Sequence, residues 1–239
     1  MKTLVVIPAY NEQDNIVRVV DHLIQNYPQY DYVVVNDGSA DQTAALCREH
    51  NYNLLDLPVN LGLAGAFQAG LRYADAHDYD YAIQFDADGQ HRPEYIDTLV
   101  SEADKGYDVV IGSRFVEKKK PFSLRMMGSF LISFAIRLTT GKKIKDPTSG
   151  MRVFNRQILH EFATSLNYGP EPDTLAYLIR RGAKVTEVQV EMDERIAGES
   201  YLNFSRSMGY MIRMGTSILL IQWFRKRGNR FHSGKEGEK

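Results

Sequence analysis

Short apolar runs alternate along the chain with segments whose apolar residues recur every three or four positions. Residues 4–7, Leu-Val-Val-Ile, read as a buried strand, and residues 12–26 set Ile16, Val19, Val20, Leu23 and Ile24 on one helical stripe. Residues 32–35 form a second strand, followed by a helix over 41–50, a short strand at Leu54-Leu55 and an alanine-rich helix over 63–74. Residues 81–85 make the fourth strand and Val109-Val110-Ile111 the fifth. Between them a helix starts near Pro93, a residue suited to a first helical turn. Near-continuous Val, Ile and Leu strands separated by helices predict βαβ units. The fold class expected is α/β, a Rossmann-like, mostly parallel sheet with helices on both faces.

The second half is less regular. Residues 123–140 read as an amphipathic helix with embedded Arg125 and Arg137, and 146–150 as a turn leading into Met151-Arg152-Val153-Phe154. A further turn around 168–173 precedes a helix to Arg180, and 184–190 alternate like a strand. Residues 205–224 form a last helix rich in Met, Ile and Leu, and the Gly/Lys/Glu-rich end is expected to be disordered. The organisation that follows is a domain over 1–204, an amphipathic membrane-interface or oligomerisation helix over 205–227, and a basic tail over 228–239.

Composition narrows the partners. A chain of 239 residues, 44% hydrophobic, can bury one large core, and a net charge of −1 does not suit a nucleic-acid binder. The single cysteine, Cys47, excludes an intramolecular disulfide and suits a reducing compartment; in its helical stretch it reads as packing. The N-terminus enters a strand directly, without a signal peptide, and no apolar run reaches the roughly 20 residues that span a bilayer. A cytoplasmic location is expected. Charge is uneven, though: residues 225–239 hold six Lys/Arg against two Glu, a net +4.

In open α/β sheets, ligands bind beyond the carboxyl ends of the strands. The polar loops fall there: Pro8-Ala9-Tyr10-Asn11-Glu12, Asn36-Asp37-Gly38-Ser39-Ala40-Asp41, and Asp86-Ala87-Asp88-Gly89-Gln90. On an extended backbone Asp86 and Asp88 aim at one point, a hard-oxygen seat for Mg²⁺ or Mn²⁺ to which Gln90 can add a neutral oxygen. The competing reading is a simple turn at a strand end. Asp37, Asp41 and Glu12 are acidic candidates on the same edge, with Asp41 equally suited to capping the next helix. Asn60 to Ala66 can offer backbone N–H groups to an anion, or serve helix packing through small residues.

Taken in order, these motifs resemble the family 2 glycosyltransferases of the GT-A fold over roughly residues 3–204. Gly112-Ser113-Arg114, Arg125 with Ser129, Asp146-Pro147-Thr148-Ser149-Gly150, and Arg195-x-x-Gly198-x-Ser200 are similar to its polyprenyl-phosphate branch. The resemblance implies that Pro8, Tyr10, Glu12 and Asp37 line a nucleotide pocket. It implies that Asp86, Asp88 and Gln90 hold the cation, with Ala87 packing near the nucleotide. Arg114, Arg125 and Ser129 match positions that receive the acceptor's phosphate, and Arg195 an arginine that closes over the donor diphosphate. Glu171 and Asp173 lie where related enzymes hold an acidic residue near the sugar, or they face a helix dipole instead. Tyr201 stands where the family pattern has lysine.

The implied activity is an inverting, metal-dependent transfer of a hexose from a nucleotide-sugar donor, UDP-linked by preference, to polyprenyl phosphate. A phosphate monoester is already anionic and needs no side-chain base. Residues 208–224, ending in Trp223-Phe224-Arg225-Lys226-Arg227, together with 123–140 and Lys118-Lys119-Lys120, suit peripheral contact with an anionic membrane at its inner face. The alternative is a core helix or an oligomer contact; a homo-oligomer, with or without a small membrane-protein partner, is expected. Two rival functions remain at this level: transfer to a glycan hydroxyl, and a non-catalytic nucleotide-sugar-binding scaffold.

Overall fold

Neighbouring side chains of a strand buried on both faces enter opposite layers. Thr3–Ala9 (β1) does this: Leu4 and Val6 join one apolar cluster, while Val5, Ile7 and Ala9 join the other. The computed structural model describes residues 1–121, 124–164, 169, 171–193, 204–220 and 231–232, without the side chains of 124, 125 and 204–208.

After β1 come Ile16–Asn26 (α1), Asp31–Asp37 (β2), Thr43–Glu49 (α2), Leu54–Leu57 (β3), Gly62–Ala76 (α3) and Tyr81–Gln84 (β4). A 3-10 turn at Pro93–Tyr95 leads into Ile96–Ala103 (α4), then Val109–Ser113 (β5), Leu124–Thr140 (α5), Arg152–Asn155 (β6) and Arg156–Thr164 (α6). Pro172–Arg180 (α7), Val185–Gln189 (β7) and Phe204–Leu219 (α8) complete the elements.

The strands form one seven-stranded sheet in the order β3-β2-β1-β4-β6-β5-β7, with β6 antiparallel to both neighbours and every other pairing parallel. Helices α1, α2 and α4 cover one face and α3, α5, α6, α7 and α8 the other. This is the α/β architecture expected. On the second face the rings of Phe67, Phe154 and Phe162 meet, with centroids 5.8 and 5.6 Å apart. Each phenyl buried there contributes about 1.5–3 kcal/mol. Helix α3 comes close to β1 because Gly70 has no side chain: a Cβ there would stand 2.2 Å from Val6 Cγ1. Cys47 is buried in α2, and burial pushes its thiol up to about 11.

Three elements depart from expectation. The first helix starts at Ile16 rather than residue 12, because Asn11 adopts φ 55° and the Glu12 carbonyl accepts from the N–H groups of Asn15 and Ile16 in a turn. Helix α6 was not anticipated, since it follows β6 without any turn residue between them. Strand β6 runs against its neighbours, so the loop before it, 146–151, reaches the edge where β4 and β5 end.

At the chain's end, α8 crosses α5 where Gly128 admits the Met211 side chain. Within the tail expected to be disordered, Phe231 is buried, its N–H donates to Arg181 O (2.9 Å), and the Arg181 guanidinium lies 4.5 Å from its ring centre. His232 Nε2 stands 2.8 Å from Asp108 Oδ2. Among the described residues no helix is long and apolar enough to cross a membrane.

Candidate active site

The ladder between β1 and β4 ends where the Phe85 N–H donates to Val6 O (3.0 Å). Two residues on, Pro8 has no N–H with which to continue it, so the chain from Asp86 leaves the sheet. Residues 87–89 are a turn, not an extended strand, and the expected same-side pairing of residues two apart holds for Gln84 and Asp86 instead. Buried Gln84 donates through Nε2 to Asp86 Oδ1 (3.1 Å). Asp88 closes the turn by accepting the Gln90 N–H on Oδ1 (3.0 Å), and Gly89 takes φ 78°. A Cβ at Gly89 would stand 2.3 Å from Arg18 Nη2, so the guanidinium of α1 lies against this turn.

His91 was not among the sequence candidates, yet it holds the loop. Its buried ring accepts the Asp86 N–H on Nδ1 (2.9 Å), which places the proton of the neutral ring on Nε2, 3.6 Å from Asp86 Oδ2. Gly150 closes over the same carboxylate, since a Cβ there would stand 2.8 Å from Asp86 Oδ2. Ala87 is buried beneath. Among the described residues no group of three or more His, Cys, Asp or Glu forms a ready-made metal cage. Two partly exposed carboxylates, Asp86 and Asp88, fit a Mg²⁺-type ion that takes its other oxygens from a diphosphate and water. The Gln90 amide is turned toward the Asp193 carbonyl (Nε2 to O, 3.4 Å).

The loops after β1 and β2 are joined to each other. Asn11 N–H donates to Ser39 Oγ, Ala40 N–H to Asn11 Oδ1, and Glu12 N–H to Thr43 Oγ1, at 2.9–3.0 Å. Asp41 accepts the Thr43 N–H (2.9 Å) from one residue ahead of the N-cap, Gln42, bracing the start of α2. The buried Asp37 accepts the Leu61 N–H on Oδ1 (2.7 Å), while its Oδ2 has no protein partner among the described residues. Gly38, at φ 62°, lets Asn60 come close: a Cβ would lie 2.7 Å from its nitrogen. Pro8 is buried, Tyr10 is exposed at the rim, and the Glu12 carboxylate accepts from Asn15 Nδ2 (2.8 Å).

On the other side of the edge, Arg114 forks onto Asp146 through Nε (2.7 Å) and Nη2 (2.9 Å), and its N–H donates to the same carboxylate. Asp146 is fully buried, and Glu187 of β7 accepts the N–H groups of Asp146 and Lys145. Lys120 turns inward to Ser129 Oγ (2.9 Å). Arg152, another residue the sequence reading passed over, is buried beside Gln84 and donates to Pro147 O (2.6 Å). Burial lowers its pKa, opposed by Tyr210, Glu171, Asp146 and Asp86 around it. A cation inside an apolar strand was the signal available. Glu171 accepts from the Tyr210 hydroxyl and Asp173 from Ser217 Oγ (2.6 Å), so both carboxylates anchor α8 to the start of α7. Burial and Glu171 raise the Tyr210 pKa. The Arg125 side chain and residues 194–203, with Arg195 and Tyr201, lie outside the described residues.

Residues 4–162 match the family model described as glycosyl transferase family 2. The chain is 30% identical over 227 residues to polyprenol monophosphomannose synthase of Mycolicibacterium smegmatis, covering 89% of this chain and 85% of that protein. It is 32% identical over 216 residues to undecaprenyl-phosphate mannosyltransferase of Micrococcus luteus, covering 85% and 88%. Among solved structures, glucosyl-3-phosphoglycerate synthase from Mycobacterium tuberculosis, in complex with Mn²⁺, UDP and phosphoglyceric acid, superposes with a TM-score of 0.66. That match has 21% identity and covers 92% of this chain and 78% of that one, a likeness of fold.

Proposed function

The chain belongs to glycosyl transferase family 2, and on that footing we propose that it transfers a hexose from a nucleotide sugar, UDP-linked by preference, to polyprenyl phosphate. The observation that carries this reading is one loop. At Asp146 it grips Arg114, and four residues later Gly150 abuts the Asp86 carboxylate, so one loop fixes both the segment after β5 and the acidic pair after β4. The names of the relatives favour a polyprenyl-phosphate acceptor.

The chain's own residues divide the work. Asp37, Glu12, Pro8 and Tyr10 lie on the edge that takes the nucleotide, and the open Oδ2 of Asp37 suits a ribose or base donor. Asp86 and Asp88, with Gln90 behind them, would hold Mg²⁺ or Mn²⁺. When bound there the ion offsets the charge of the departing nucleoside diphosphate. Gln84, His91 and Gly150 keep the Asp86 carboxylate in place. Glu171 and Asp173 are both engaged with α8, which favours an acceptor that needs no general base. Attack by the phosphate oxygen, in line with the leaving diphosphate, inverts the sugar carbon.

The membrane face is supported by α5. Met127, Phe130, Leu131, Phe134 and Leu138 are all exposed at helical spacing, between exposed Lys118-Lys119 and Lys142-Lys143; α8 adds exposed Ile212 and Leu219, and Leu220 follows directly after it. That combination suits peripheral attachment to the inner face of an anionic membrane. The same surface suits a homo-oligomer or a small membrane-protein partner.

Radiolabelled UDP- and GDP-sugars offered with Mn²⁺, in separate reactions with polyprenyl phosphate and with soluble glycans, test the reading. Label entering lipid, abolished by Asp88→Ala in folded protein, is expected. Label found in glycan alone rejects the acceptor, and donor hydrolysis without transfer to lipid or glycan favours a binding subunit.

A further inference from the structure

Pro93 restricts the residue before it to extended backbone, and Arg92 accordingly has φ −97° and ψ 118°. An extended residue just after the acidic turn can pair with a neighbouring segment, and one is at hand. Past β7 the Val190 N–H still donates to Ser113 O (3.0 Å), and the chain then crosses to the loop that follows Asp88. There His91 forms an antiparallel bridge with Met192, and the Asp193 N–H donates to Gln90 O (2.9 Å). A pairing this short is marginal by itself in water. Side chains close it. Arg92 places Nε (2.7 Å) and Nη2 on Asp193 Oδ1, and its Nη1 reaches Glu191 Oε2 (3.3 Å). Lys118, from the loop after β5, pairs with the other oxygen of Glu191 (2.5 Å).

The clamp bears on two groups of the acidic loop. His91, bridged to Met192, accepts the Asp86 N–H on Nδ1 (2.9 Å). Gln90 donates through Nε2 to Asp193 O (3.4 Å), which leaves Oε1 as the amide atom without a protein partner among the described residues. An amide anchored through its nitrogen has its oxygen available to a cation, and an outer hydrogen bond of this kind orients a metal ligand. Exposed ion pairs contribute little to stability, and each member here keeps contact with water. What Arg92 adds is therefore the placement of a loop rather than resistance to unfolding.

We propose that Arg92 is a positioning residue for the acidic loop: by clamping Asp193 and Glu191 it holds Asp86 and Gln90 in the arrangement that receives a divalent cation. This rests on the reading of Asp86 and Asp88 as the cation seat. A different role for Arg92, attraction of the donor diphosphate by charge alone, predicts the opposite effect of Asp193→Asn, since loss of a nearby carboxylate would then tighten binding.

The test compares full-length wild type with Arg92→Met, Arg92→Lys, Asp193→Asn and the Arg92→Met, Asp193→Asn double variant. Mn²⁺ binding in the presence of UDP and, separately, GDP is read from the electron paramagnetic resonance signal of free Mn²⁺, and amide hydrogen exchange is followed over residues 86–92. Arg92→Met is expected to raise the Mn²⁺ Kd roughly 10-fold, as loss of an outer partner of a metal ligand does. Asp193→Asn is expected to do the same, and the double variant to lose no more than either alone. Arg92→Lys, which has a point charge in place of the fork, is expected to recover part of the loss. The melting temperature without ligand is expected to change little, while exchange over 86–92 speeds up. Unchanged Mn²⁺ affinity in Arg92→Met overturns the proposal whatever the exchange shows, as does tighter binding in Asp193→Asn. If wild type takes up no Mn²⁺ with either nucleotide, the cation reading falls separately. The clamp is then judged by exchange alone, and equal rates over 86–92 in wild type and Arg92→Met overturn it.

Discussion

Replacing Asp146 with alanine removes the partner of Arg114 at a site that water does not reach. The Asp146 side chain is 0% exposed and that of Arg114 28%, with the guanidinium held through Nε and Nη2 at 2.7 and 2.9 Å. The carboxylate also accepts the Arg114 N–H (3.2 Å) and the Thr148 hydroxyl (3.3 Å). Breaking a buried pair by removing one member costs about 3–5 kcal/mol, because the other charge is left uncompensated. Arg114 keeps some contact with solvent, which places the expected loss near the lower end, about 3 kcal/mol. For a chain of this size that lowers Tm by roughly 6–12 °C. Arg114→Met combined with Asp146→Leu replaces the pair with apolar groups and is expected to recover part of the loss. Urea and thermal melts of Arg114→Met, Asp146→Leu and their double variant form the required cycle, with Asp146→Ala measured beside them. Asp146→Ala losing less than about 1 kcal/mol, or single losses that simply add in the double variant, would refute the reasoning.

Gly150→Ala puts a methyl 2.8 Å from Asp86 Oδ2 and 3.2 Å from His91 Cε1, so the carboxylate must move by several tenths of an ångström. Transfer is expected to fall by roughly 100-fold while Tm changes little, and normal activity with an unchanged Mn²⁺ dependence would contradict the placement. Glutamate at Leu131 and Phe134 is expected to abolish sedimentation with anionic vesicles without lowering Tm, because both side chains already face solvent; equal sedimentation would show that α5 is not the docking face. Cys47 is expected to resist thiol reagents in the folded protein at pH 8 and to react fully in urea. Its raised pKa means the folded state retains a proton that the unfolded state releases. Its contribution to stability is therefore intact below the ordinary value of 9.0 and is lost as pH climbs through about 11. Urea melts with and without a Cys47→Ala substitution across that range check the sign.

Much of the first half was legible because its strands are buried on both faces. Such strands must be nearly all Val, Ile and Leu, and the polar loops between them then stand out at the carboxyl edge. Asp37, Asp86 and Asp88 were singled out that way as candidates, and the order of their motifs carried the resemblance to the family. The second half was less legible, because its geometry depends on partners far away in sequence.

No local pattern announces that Arg152–Asn155 runs antiparallel, yet that reversal brings Asp146 and Gly150 to the edge where β4 and β5 end. Arg114 read as an open phosphate fork until a carboxylate 32 positions later filled it. His91 looked like the residue after a motif; its place under Asp86 depends on how the turn at 87–89 folds back. Lys118, Lys119 and Lys120 are chemically equivalent in sequence, and only the arrival of α5 with Ser129 decides which of them leaves water. Sequence alone determined the alternating layers and the acidic edge, since hydrophobic burial and glycine-containing turns act over a few residues. Tertiary structure alone decided which charges face each other, because Coulomb and hydrogen-bond partners are set by distance in space rather than by spacing along the chain.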